Sequence, residues 1–133
     1  MTKSFTLIIL PDLLTVCRLP PDALIPAWAQ EDGGLLSVVR TPEELSIVCP
    51  EKLVPANITA ERGWRPLKVK GPLVFSEVGV LASLVEPLAA AGISIFVIST
   101  FETDYVLVKE QVLDHAVQTL QQAGHTVLTT NHI

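Results

Sequence analysis

Apolar positions change their period along the chain, and glycines and prolines mark where they change. The second half parses most readily. From Gly79 to Ala91, the residues Val80, Leu81, Leu84, Val85 and Leu88 fall at i, i+1, i+4, i+5 and i+8, one face of an amphipathic helix. From Gln111 to Ala123, Val112, Leu113, Ala116, Val117 and Leu120 repeat that template. Each helix is expected to stop at an Ala-Gly pair, Ala91-Gly92 and Ala123-Gly124, because glycine accepts the left-handed conformation that follows a helix end. Ile93 to Thr100 and Tyr105 to Lys109 are rich in β-branched and aromatic residues and flank a polar turn at Glu102-Thr103, which predicts a hairpin. With an opening strand over Pro72–Phe75 and a closing strand over Thr126–Thr130, the predicted order is strand, helix, strand, strand, helix, strand. That is the split βαβ, ferredoxin-like plan of an α+β fold, two helices covering one face of an antiparallel four-stranded sheet. Pro87 removes one hydrogen bond from the first helix and should kink it, but the apolar stripe continues past the proline.

The first half reads as a degenerate copy. Phe5 to Leu10 and Leu14 to Leu19 form an extended run broken at Pro11-Asp12, and Pro21 to Gln30 is expected to be a short helix behind a proline pair. Leu35 to Arg40 and Leu45 to Cys49 suggest a hairpin across Thr41-Pro42-Glu43-Glu44. Pro50 to Ala60 is too short and proline-marked for a full helix, and Trp64 to Lys70 closes the half as a strand. The expected boundary lies near Lys70-Gly71-Pro72, giving units over 1–71 and 72–133 with no flexible linker between them.

Composition narrows the class. With 49% apolar residues in 133, the chain can bury a core without metal or disulfide staples. No apolar run reaches the ~18 residues of a membrane-spanning helix, and Met1-Thr2-Lys3-Ser4 leads straight into a strand-like run, so no membrane partner, no secretory signal and a cytoplasmic location are expected. Cys17 and Cys49 sit singly in apolar stretches, as buried thiols of a reducing compartment would. The net charge of −5 is unevenly placed: residues 1–71 hold 8 basic and 8 acidic groups, whereas residues 72–133 hold Lys109 against Glu77, Glu86, Glu102, Asp104, Glu110 and Asp114. An acidic chain without a basic, aromatic-studded stripe is a poor match for nucleic acid.

Catalytic chemistry finds little support. His115, His125 and His132 have no metal-ligand spacing, no phosphate-cradling glycine loop or nucleophile elbow occurs, and Gly33-Gly34 reads as a turn. Glu31-Asp32 and Glu43-Glu44 read as solvated loop charges. No enzyme, metal or cofactor is expected. Two junctions carry what chemistry there is. Phe75-Ser76-Glu77-Val78-Gly79-Val80 enters the first helix, where unpaired backbone N–H groups attract a carboxylate and Gly79 lets a ligand approach the backbone. Ser76 as a simple helix cap, with Glu77 favouring the dipole, would give the same pattern. Ser99-Thr100-Phe101-Glu102-Thr103-Asp104-Tyr105 forms the hairpin tip, where Glu102 and Asp104 suit an ammonium or guanidinium group, although a plain polar turn looks alike.

Taken together, Gly79-Val80-Leu81, the run Leu88-Ala89-Ala90-Ala91-Gly92-Ile93-Ser94-Ile95-Phe96-Val97-Ile98-Ser99-Thr100 and the hairpin Phe101-Glu102-Thr103-Asp104-Tyr105-Val106-Leu107-Val108 resemble the ACT domains of the CASTOR type, related to aspartate kinase regulatory domains and to the cytosolic arginine sensors of animals. Leu36-Ser37-Val38-Val39-Arg40-Thr41-Pro42-Glu43-Glu44-Leu45-Ser46-Ile47-Val48 is similar to the partner unit of such proteins. The resemblance implies tandem ferredoxin-like ACT units and a regulatory protein binding a free amino acid at an interface between units. It assigns the loop to Ser76, Glu77, Val78 and Gly79 and the facing hairpin to Thr100, Phe101, Glu102, Thr103 and Asp104, the last implicated in recognising an arginine side chain. Arginine or lysine are the expected ligands. The arginine sensors hold two pairs of units, so the resemblance also implies a homodimer and an unidentified protein partner downstream. The competing expectation is a dimerisation module without an effector, in which sheet edges pair and the loop is only a cap.

Overall fold

A computed structural model describes residues 4–31, 33–73 and 78–130. Its strands are β1 (Thr6–Ile9), β2 (Leu14–Leu19), β3 (Ser37–Arg40), β4 (Leu45–Pro50), β5 (Ala60–Val69), β6 (Ile95–Ser99), β7 (Asp104–Lys109) and β8 (Thr126–Thr129), with helices α1 (Val80–Ala90) and α2 (Leu113–Gln122). The chain forms two compact units, residues 12–64 and residues 1–11 with 65–133. This division differs from the boundary expected near residue 71. The cause is β1, which runs parallel to β8 and antiparallel to β5, so the N-terminal strand joins the C-terminal sheet.

In the unit over 12–64 the strands lie in the order β3-β4-β2-β5. That is the ferredoxin-like order, with the two helices reduced to 3-10 turns over Ala27–Gln30 and Glu51–Leu53. The helix expected from Pro21 to Gln30 is therefore corrected. Pro20, Pro21 and Pro26 remove amide donors from the segment, and Arg40 takes its loose carbonyls instead, donating to Pro21 O and, at 2.8 Å, to Ala23 O. Cys17, Leu45, Ile47 and Cys49 form the centre of this unit's core, each 1% exposed or less. Both thiols are free. A hydrogen bond from Cys49 holds the Cys17 thiol below its ordinary range against the opposing effect of burial, and the same bond, with burial, pushes Cys49 upward.

The other unit follows the predicted βαββαβ order, but its first strand is β5. Pro72 and Leu73 are not in a strand, and Val74 and Phe75 lie outside the described residues. The strands lie in the order β8-β1-β5-β7-β6, a ferredoxin-like sheet with β1 inserted between its first and fourth strands. Leu67 and Val69 of β5, Leu84 and Leu88 of α1, Val106 and Val108 of β7, and Ala116 and Leu120 of α2 are all fully buried in one core. β5 alternates as expected, with Lys68 half-buried and Lys70 exposed between and beyond these apolar residues. α1 runs through Pro87 to Ala90. Among the described residues no helix is long and apolar enough to cross a membrane.

Candidate functional site

α1 begins at Gly79, which has φ of 81° and makes no side-chain cap. The Gly79 carbonyl accepts the Ser83 N–H at 3.0 Å, so the amides of Val80, Leu81 and Ala82 lie ahead of the first bond of the α-helical ladder. Opposite this start stands the tip of the β6–β7 hairpin. The two strands are in register down to Ser99↔Asp104, and the turn is closed by Thr100 N–H donating to Thr103 O at 2.8 Å. Ser99 Oγ donates to Asp104 Oδ1 at 2.6 Å, fixing that carboxylate. Thr103 Oγ1 donates to Val69 O, and the Leu73 N–H donates to Glu102 O at 2.7 Å, so the segment after β5 is tied to the hairpin tip.

Between these elements lies a concavity of about 440 Å³. Leu73 lines one wall, Gly79, Val80, Leu81 and Ala82 another, and Ser99 through Asp104 the third. Two carboxylates, Glu102 and Asp104, are on its lining, and no basic side chain is among the described residues there. The space thus has donors of backbone origin at the helix start and acceptors of side-chain origin at the hairpin, a polarity that fits a zwitterion.

Of the residues singled out in the sequence, Gly79, Thr100, Phe101, Glu102, Thr103 and Asp104 are brought to this one concavity. Val78 is 84% exposed and does not line it, while Ser76 and Glu77 lie outside the described residues. Phe101 is 77% exposed at the rim. Thr103 is buried with its hydroxyl committed to Val69, so it shapes the turn. Leu73, Val80, Leu81, Ala82 and Ser99 also line the concavity without having been assigned to the site from the sequence, although Val80 and Ser99 fall within the two junction stretches. The hairpin register signals Ser99 as the partner of Asp104, and a helix starting at Gly79 brings Leu81 and Ala82 with it; Leu73 carried no signal.

The comparisons with known proteins agree with this architecture. A family model described as an ACT domain matches residues 59–122, and a second, described as an N-terminal domain, matches residues 12–57. The chain is 36% identical over 94 residues to the cytosolic arginine sensor for mTORC1 subunit 1 of Homo sapiens and of Bos taurus, a match covering 67% of this chain and 27% of the relative. The matched stretch is thus about a quarter of the length of those relatives. A solved protein from Agobacterium tumefaciens is 39% identical, with a TM-score of 0.90 and coverage of 96% of this chain and 95% of that one. The ligand-free regulatory subunit of aspartate kinase from Thermus thermophilus has the same fold at 13% identity, with a TM-score of 0.58 over 89% of this chain and 94% of its own. With an ACT-domain match lying across β5 to α2 and arginine-sensor relatives at 36% identity, the chain belongs to the ACT-domain proteins.

Proposed function

We propose that the chain is a regulatory protein that binds a free amino acid in the concavity between the start of α1 and the β6–β7 hairpin, and that it acts through binding and not through catalysis. The observation carrying this reading is the polarity of that space: unladdered amides at Val80 to Ala82 on one wall, Asp104 and Glu102 on another, and no basic side chain on the described lining. The ligand's α-carboxylate sits on the amides at the start of α1. Its ammonium or a cationic side chain meets Asp104, which keeps acceptor capacity on its second oxygen because Ser99 engages only Oδ1. A space of about 440 Å³ is ample for one amino acid.

Arginine is the leading ligand and lysine the next, in keeping with the arginine-sensing relatives. Two copies of the chain assemble as a homodimer, and a further protein partner reads the liganded state in the cytoplasm. A melting-temperature screen of free amino acids at millimolar concentration tests the reading. A ligand at a hundredfold excess over its dissociation constant adds about 2.7 kcal/mol to the stability of the folded state. Arginine or lysine should raise the midpoint more than neutral amino acids do, and Asp104→Ala should lose that rise while keeping the unliganded midpoint. A flat screen would leave the effector-free dimerisation module as the function.

A further inference from the structure

We infer that His125 is a positioning residue for this pocket, holding the first turn of α1 by replacing the hydrogen bond that Pro87 removes. Proline has no N–H, so the Ser83 carbonyl, four residues before Pro87, lacks its regular helical donor. His125 Nε2 lies 3.0 Å from that carbonyl. The other ring nitrogen, Nδ1, accepts the Phe5 N–H at 3.1 Å. With Nδ1 the acceptor, Nε2 carries the proton and donates to Ser83 O.

The ring is held from several sides. It is 5% exposed and stacks on Phe5 with ring centroids 6.0 Å apart. Its own backbone N–H bonds Leu120 O at the end of α2 at 3.0 Å, and the next amide, Thr126, bonds Phe5 O at 2.9 Å. On the helix side, Ser83 N–H donates to Gly79 O at 3.0 Å and Ser83 Oγ to Val80 O at 2.8 Å. Ser83 therefore closes the turn whose residues Gly79 to Ala82 line the pocket. A donor anchored on Phe5 and on the end of α2 thus sets where the pocket's amides stand, in a helix whose own ladder is broken one turn later. The consequence for ligand binding rests on the function proposed above; the hold on the turn does not.

Hydrogen exchange of the full, unliganded chain reads the Ser83 amide, and arginine melting shifts are read in parallel. His125→Phe keeps a stacked ring and deletes both hydrogen bonds, while Pro87→Ala returns the missing N–H to the helix. Ser83 should exchange about tenfold faster in His125→Phe, and within about threefold of the parent when Pro87→Ala accompanies it. Unchanged exchange in His125→Phe, or equal acceleration with and without Pro87→Ala, overturns the inference. Should His125→Phe fail to fold, restoration of folding by Pro87→Ala supports the inference and an unfolded double variant overturns it. Arginine affinity should fall and recover in the same pattern; exchange that changes while affinity does not overturns the link to the pocket. A parent chain that no amino acid stabilises overturns the ligand reading instead, and the exchange measurement still decides the role of His125.

Discussion

Gly79 sits in the left-handed region, where a side chain is strained, yet a Cβ built on it would meet nothing within 4 Å. A substitution there should act through backbone strain and not through collision, so Gly79→Ala should cost about 1 kcal/mol, seen as a lower urea midpoint with an unchanged slope. Thr103 makes the opposite case. It was singled out in the sequence as a ligand contact, but its buried hydroxyl is spent on Val69 O and its side chain packs beside Gly71. Thr103→Val keeps the shape and leaves that carbonyl short of a partner, for an expected loss of about 1–3 kcal/mol by urea unfolding. Asp104 and Glu102 were readable as chemistry because two carboxylates at a hairpin tip advertise themselves. Ser99 stood in the same hairpin stretch but its pairing with Asp104 follows from strand register, and Leu73 owes its place to a backbone bond to Glu102 O that nothing local writes.

Both helices were legible because a stripe of apolar residues at helical spacing has one economical use. Val80, Leu84 and Leu88 of α1 and Ala116 and Leu120 of α2 are the buried members of the two stripes. Leu120 is fully buried, and Leu120→Ala should cost about 2–5 kcal/mol in the same urea assay through lost transfer energy and the cavity left behind. The expected helix over Pro21 to Gln30 failed for a reason present in its own residues: prolines on both sides of Asp22 to Ile25 leave too few donors for a ladder, and only Ala27–Gln30 turns. The start of β5 was missed for a different reason. Ala60-Glu61-Arg62-Gly63 lacks apolar alternation, and it becomes strand by pairing with β2, through Cys17↔Ala60, Val16↔Glu61 and Leu14↔Trp64. Pairing over such sequence distances outweighs local propensity.

The ferredoxin-like plan recurs along the chain in two overlapping copies, with β5 closing the first and opening the second. The second copy could be read from periodicity alone, whereas the first had lost the helices that carry the periodic signal. The insertion of β1 between β8 and β5 was invisible, since it joins residues near 7 to residues near 69 and 127. Among the described residues three outer strands pair on a single side: β3 with β4, β6 with β7 and β8 with β1. None carries a proline, and Leu36 just before β3 and Val39 within it are 41% and 54% exposed. Unblunted edges of this kind invite antiparallel pairing with the same edge of another copy, which closes on itself under twofold symmetry. Sedimentation at micromolar concentration should therefore give twice the 14.4 kDa chain mass. Val39→Lys, placed on the exposed edge, should weaken that association if β3 forms the seam and leave it intact if β6 or β8 does. A parent chain that sediments as a monomer would remove the dimer altogether, and with it the idea that a second copy helps to complete the ligand site.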